Sequence, residues 1–316
     1  MEMEDNHITH YQQLEVFDIL KEALKITGKN ISFLIITLFA SLPLFFFSVY
    51  YEILLQTTLV EAIKILTPPP GYYNYNWPIP AYITKQLHNS FSYKLIQLLL
   101  LSIVPLHLLK VSTVFLILDL ASKIYTEKRS MTLKEMVNRP IRKGKLRSAF
   151  ITSTYVFCLA TCTELGLTWL VTNYYVIWRN TVYGAFFAVI YGLAFVLLLT
   201  KYLEWSALWN VSIVISILED KVQGAEAFAL SALLIRGNKQ QGRLLMLLVF
   251  AWGLVVRLPC LCVGCDQGGN GILVQMSLYC IGNVTNWLAC LVYFYDCKRQ
   301  KLEKKDDQET GKLGEK

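Results

Sequence analysis

Apolar positions in this chain fall into long unbroken runs, not into the alternation or the three-and-four spacing of a soluble domain. A bilayer core of about 30 Å takes about 20 helical residues. Five runs reach that length, 31–51, 95–121, 149–171, 182–202 and 244–263, and a sixth occupies 272–294. They predict an all-α fold, a polytopic membrane helix bundle of six transmembrane helices. Between the fourth and fifth runs lies NVSIVISILEDKVQGAEAFALSALLIRGNKQQG, apolar at first but too short to cross alone. Its start, Leu203 to Leu218, reads as a continuation or re-entrant bend of the fourth helix. A short amphipathic helix from Ala225 to Arg236 follows, bracketed by the breakers Gly224 and Gly237. Phe228, Ala232 and Ile235 share a face of it, which fits either the headgroup boundary or the underside of the bundle. A second amphipathic helix, in LEVFDILKEALKIT, precedes the first span. There Asp18, Glu22, Lys25 and Lys29 form a stripe opposite Leu14, Phe17, Leu20 and Leu24, and the mixed charge favours docking on the bundle.

The basic residues set the orientation. With six spans, one side receives 23 Lys and Arg and the other 4. The positive-inside rule therefore puts both termini in the cytoplasm. Residues 1–30 form a cytoplasmic N-terminus, 31–296 the membrane domain, and 297–316 a basic, disordered cytoplasmic tail. The loop Ser122–Arg147 holds nine Lys and Arg against Glu127 and Glu135. That excess suits anionic headgroups.

Composition supports the membrane reading and narrows the chemistry. Of 316 residues 54% are hydrophobic and 17% charged, with a mean hydropathy of +0.42. The net charge of +7 clusters beside apolar runs, so it encodes topology and makes nucleic acid an unsuitable partner. The acidic, polar start MEMEDNHITHYQQ lacks the pattern of a secretory leader, so the first span is expected to be an uncleaved anchor. The four histidines stand in no metal-binding spacing, and no nucleophile elbow, Walker loop or dinucleotide fingerprint occurs. The expectation is a protein without catalytic activity or cofactor, in the endomembrane system (ER) or plasma membrane, that contacts lipids or partner proteins.

Charges inside spans are the sharpest local signals, because an ion at the bilayer centre is costly unless it pairs or faces water. Glu164 and Arg257 lie about 10 Å and about 9 Å from the outer ends of the third and fifth spans, at 1.5 Å per residue. They are expected to pair. Lys110, one turn from His107 and close to Pro105, could line a polar path for a small solute or ion, or could simply snorkel. Two small-residue seams, Gly184, Ala188 and Gly192 on the fourth span and Cys158, Cys162 and Gly166 on the third, suit close helix packing. Asn283 and Asn286 suit hydrogen bonds between helices. Cys260, Cys262 and Cys265, with Asp266, read as packing or one disulfide before a soft-metal site. Cys297, followed by Lys298 and Arg299, is a candidate for S-palmitoylation. On the outer side, TPPPGYYNYNWPIPAY reads as an ordered interfacial cover.

The stretch ISILEDKVQGAEAFALSALLIRGN resembles a pattern in multi-pass proteins that include the membrane domain of some bacterial glycerophosphodiester phosphodiesterases. Glu219, Gly224, Ala227, Ser231, Leu234 and Gly237 are the matching positions. FDILKEALKI and LVYFYDCKRQK look like a plant family of uncharacterised six-span proteins, and the likeness runs from about Leu14 to Lys301. The resemblance implies a six-span fold but no hydrolysis, since a phosphodiesterase barrel would need about 250 more residues.

Overall fold

The computed structural model describes residues 14–66, 92–127, 132–137, 143–180, 184–219, 222–263 and 270–314. Among them every regular element is a helix: α1 (Val16–Lys29), α2 (Ile31–Leu66), α3 (Ser92–Leu101), α4 (His107–Glu127), α5 (Leu133–Val137), α6 (Lys143–Asn180), α7 (Gly184–Leu218), α8 (Ala225–Ile235), α9 (Lys239–Val263) and α10 (Asn270–Gly314). A π-helical turn, Ser102–Leu106, joins α3 to α4. Pro105 sits inside it, and the His107 N–H reaches back five residues to the Ser102 carbonyl. The ring cannot donate to the ladder, and the wider turn accommodates it.

Among the described residues five helical stretches are long and apolar enough to cross a membrane: Ile31–Glu61, Tyr93–Glu127, Gly144–Val171, Val189–Leu218 and Lys239–Pro259. The sixth expected span does not join them. Its helix, α10, is long enough, but Gln275, Asn283 and Asn286 interrupt its apolar part. Packing explains the dilution. α10 lies against α1, α2, α4, α7, α8 and α9, and Trp287 to Phe294 are buried all round. Of the diluting residues Gln275 is buried and Asn283 and Asn286 are half-buried, so they meet protein and this helix does not need the uniform hydropathy of a lipid-facing one.

The core gathers at one end of the bundle. It is built from Val111 to Ile124 of α4, Leu203 to Ile217 of α7 and Trp287 to Cys297 of α10, with Leu245 and Met246 of α9. α1 and α8 close it. Farther along the helices, large apolar side chains such as Leu165, Trp169, Val189, Leu193 and Val255 point outward, the surface that a bilayer would cover.

α7 continues without a bend through Leu203–Leu218, the first of the two readings of that segment. Its 35 residues extend about 52 Å, so its end outruns a bilayer core. α8 packs there through Ala227, Ser231 and Ile235. The expected face was turned by one position: Ala232 is exposed and Phe228 only half-buried. Close helix contact selects small residues, which a hydrophobicity pattern underweights. α1 docks on α10 and α2 as expected, but through Val16, Ile19, Ala23 and Ile26, while Phe17 and Leu24 are 71% and 57% exposed.

Other expectations also change. The tail expected to be disordered continues as helix to Gly314, its start braced by Arg299 bonding Asp296 at 2.8 Å and lying 3.9 Å from Glu303. α6 and α7 form an extensive helical hairpin, yet Cys158 and Cys162 are exposed, and a Cβ added at Gly192 would meet nothing within 4 Å. Of the expected seams, Gly166 makes an ordinary contact, its added Cβ standing 3.7 Å from Leu198.

Candidate functional site

Because α2 remains helical well past Tyr51, Glu52 and Gln56 stand one turn apart on a single face. Glu52 is 5% exposed, and Gln275 of α10, which reaches it, is 4% exposed. The Gln56 and Gln275 amides both donate to Glu52 Oε1, at 3.4 and 3.5 Å. Gln275 Oε1 is buried and has no hydrogen-bond partner. None of these three is among the sequence candidates: the first predicted span stops at Tyr51, short of Glu52 and Gln56, and Gln275 stands uncharged inside the sixth. The legible signal was the apolar continuation EILLQTTLVEAIKIL, with Glu52 and Gln56 at helical spacing within it.

Next to Glu52, Tyr51 lies within reach of the charges of Arg257, Glu52 and Glu164. Glu164 and Arg257 therefore approach the same tyrosine, but they do not form the expected direct ion pair. Glu164 Oε1 accepts a hydrogen bond from Tyr202 Oη at 3.2 Å, and the Arg257 guanidinium sits 5.9 Å from the centre of the Tyr279 ring. The helix order accounts for this. α7 packs on both α6 and α9, so each charge meets a tyrosine on a nearer neighbour first.

His107 and Lys110 part company. The imidazole is buried, 3.4 Å from Thr154 Oγ1 and tilted against Phe150 and Phe157 with ring centres 5.7 and 5.1 Å away. Lys110 is exposed. Among the described residues no hydrogen bond or ion pair joins them to the Glu164 and Arg257 cluster. Asn283 and Asn286 also bond within their own helix, to Trp287 Nε1 at 3.2 Å and Cys290 Sγ at 3.6 Å, instead of across to another.

The family-like motif turns out to be the joint that holds α8. Glu219 Oε1 takes Lys298 Nζ of α10 at 2.6 Å. Gly224 adopts φ 55°, and its N–H donates to Thr152 Oγ1 of α6 at 2.9 Å. Ala227 and Ser231 are fully buried, and Ser231 Oγ donates to the Leu208 carbonyl of α7 at 2.8 Å. Leu234 packs against the core, and Gly237 lies in the turn beyond α8. After that turn, the Asn238 carbonyl accepts Tyr293 Oη at 2.8 Å, while its amide donates to Gln300 Oε1 at 2.9 Å and to Cys297 Sγ at 3.4 Å.

Cys297 is thereby removed from consideration as an acylation site. It is 2% exposed, and burial pushes its thiol above the ordinary range. Cys260 and Cys262 fall in the last turns of α9, whereas Cys265, Asp266 and the proline-aromatic loop after the first span lie outside the described residues. Among the described residues no three His, Cys, Asp or Glu side chains are grouped to hold a metal ion.

Two apolar grooves flank α10. One, about 350 Å³, runs between α2 and α10 beneath Leu24 of α1. The other, about 400 Å³, runs between α9 and α10 beside Leu20. Ile281 and Thr285 line both.

The family described as Domain of unknown function (DUF8558) matches residues 1–304, and the chain belongs to it. No curated protein and no solved structure matches the chain.

Proposed function

We propose that this DUF8558 member is a non-enzymatic, six-span membrane protein with both termini cytoplasmic, which holds lipid through its grooves and its basic cytoplasmic face. The grooves beside α10 carry the reading. Their walls are largely apolar, their volumes are in the range of a small-molecule site, and α1, which carries Lys21, Lys25 and Lys29, lines one end of each. Acyl chains would occupy them while Lys and Arg meet anionic headgroups. The likeness to a phosphodiesterase membrane domain and to plant six-span proteins agrees with such a role and rests on the sequence pattern alone. The membrane is the ER or the plasma membrane.

The test is native mass spectrometry of the protein purified in mild detergent. Thr285 borders both grooves, and its hydroxyl bonds only to Ile281 of its own helix. Thr285→Trp should fill the groove mouths and strip retained lipid. Equal lipid retention in the variant and the wild type would refute the assignment.

Arg257 and Glu164 near Tyr51 favour a second reading, a carrier of a small solute or ion in which His107 and Lys110 extend the route. Lys110→Met separates the two. A carrier would lose uptake in proteoliposomes while remaining folded, and a lipid-holding protein would change at most in stability.

A further inference from the structure

We infer that Glu52, Gln56 and Gln275 form a binding site for a monovalent alkali cation, a role independent of whether the grooves hold lipid. The argument begins with the carboxylate. Glu52 lies within the apolar stretch Ile31–Glu61 and is almost fully buried, a setting in which a carboxylate pairs with a cation, faces water or serves an ion pathway. No Lys or Arg lies within ion-pair distance of it among the described residues. Among the described residues its hydrogen bonds are two long amide contacts, both to Oε1.

The second observation is independent of the acid. Gln275 is 96% buried, and its Oε1 has no partner although the same amide touches Glu52. Burying an amide oxygen unbonded is unfavourable. Rotating that amide about its last bond would bring the carbonyl oxygen toward Glu52, and amide orientation follows whichever network completes the bonding. Carboxylate and amide oxygens are hard donors suited to alkali and alkaline-earth ions. Gln56, one turn along α2, now presents its N–H to Glu52 and would supply another such oxygen on the same rotation.

Charge limits the ion to one positive unit. Tyr51, the sequence neighbour of Glu52, lies within reach of the charges of Arg257 and Glu164 as well. Arg257 and Glu164 carry opposite charges near Tyr51 and engage Tyr279 and Tyr202, which leaves the Glu52 charge for the ligand. A divalent ion would need more carboxylates than this site offers.

Thermal unfolding of the full chain in mild detergent tests the site, in NaCl, KCl or choline chloride at equal ionic strength and at pH 6, 7 and 8. The expected result is a saturable rise in Tm of roughly 2–4 °C in sodium or potassium over choline. Glu52→Gln, close in shape, should abolish the response, Gln275→Leu should weaken it, and Glu164→Gln should preserve it. Should Glu52→Gln not fold, the Gln275→Leu and Glu164→Gln comparison decides alone. Identical Tm in the three salts would overturn the site, as would an ion response surviving in Glu52→Gln. A pH response that is the same in choline and is lost in Glu52→Gln would also overturn it, by assigning the site to a proton.

Discussion

At Gly224 the backbone and the surroundings make separable demands. Its φ of 55° costs an L side chain on the order of 1–3 kcal/mol, yet an added Cβ would come no closer than 3.6 Å to any neighbour, the Tyr155 ring. Gly224→Ala should therefore lose about that much stability through backbone strain, measurable by thermal unfolding in detergent. An unchanged Tm would mean that the chain relaxes. Gly242 presents the opposite case. Its added Cβ would stand 2.7 Å from Tyr293 Oη and 3.1 Å from Ala207 Cβ, forcing Tyr293 off the Asn238 carbonyl. The losses of Gly242→Ala and Tyr293→Phe should consequently be less than additive in the double variant. Asp296 supplies a pH signature: burial raises its carboxyl above the ordinary range, against the opposing pull of Arg299. Its stabilising contribution is full below the ordinary carboxylate pKa of about 3.9 and disappears as pH rises through the folded value. The stability of the wild type relative to Asp296→Asn should thus improve as pH falls from 7 toward 4, and parallel pH profiles would refute it. Gly224 and Gly237 were legible as breakers because their effect is local. The roles of Gly242, and of Gly282 under the Trp252 indole, were not, because a ring distant in sequence imposes them.

Among the helices, α8 shows how a short element is fixed by few contacts of unequal weight. Ser231→Ala removes a buried hydrogen bond to the Leu208 carbonyl and should cost about 1 kcal/mol. Lys298→Met breaks the ion pair with Glu219, whose side chains are 44% and 35% exposed, and screening should hold that loss to roughly 0.5 kcal/mol. The reverse ranking in thermal unfolding would make the ion pair the main anchor. Element existence was largely readable from apolar runs and breakers, and α8 ends within one residue of the sequence reading. Faces were read less well, since α8 buries the small Ala227 and Ser231, and α1 buries Val16, Ile19, Ala23 and Ile26 while leaving Phe17 and Leu24 outside. The helix-to-helix partners of Glu164 and Arg257 were beyond reach, because depth along two helices does not reveal that a third stands between them.

The whole molecule is packed unevenly, dense around the end that holds α1 and α8 and open along its outer helices. In the proposed topology the dense end faces the cytoplasm. Single cysteines at Lys134, Gln240 and Lys304 in a cysteine-depleted variant should resist labelling from outside sealed cells, and labelling of any of them would sink the six-span topology. The apolar runs disclosed the bundle but not its centre, because a run records affinity for an apolar medium without distinguishing lipid from protein. α10 is that centre, and the ribosome makes it after all six helices it touches. Until it enters, the buried faces of α4 and α7 have no lasting partner, so newly inserted chains must pass through a period of waiting in which quality control can recognise them. Chains halted before Asn270 should accordingly be cleared faster in pulse–chase experiments than full-length chains.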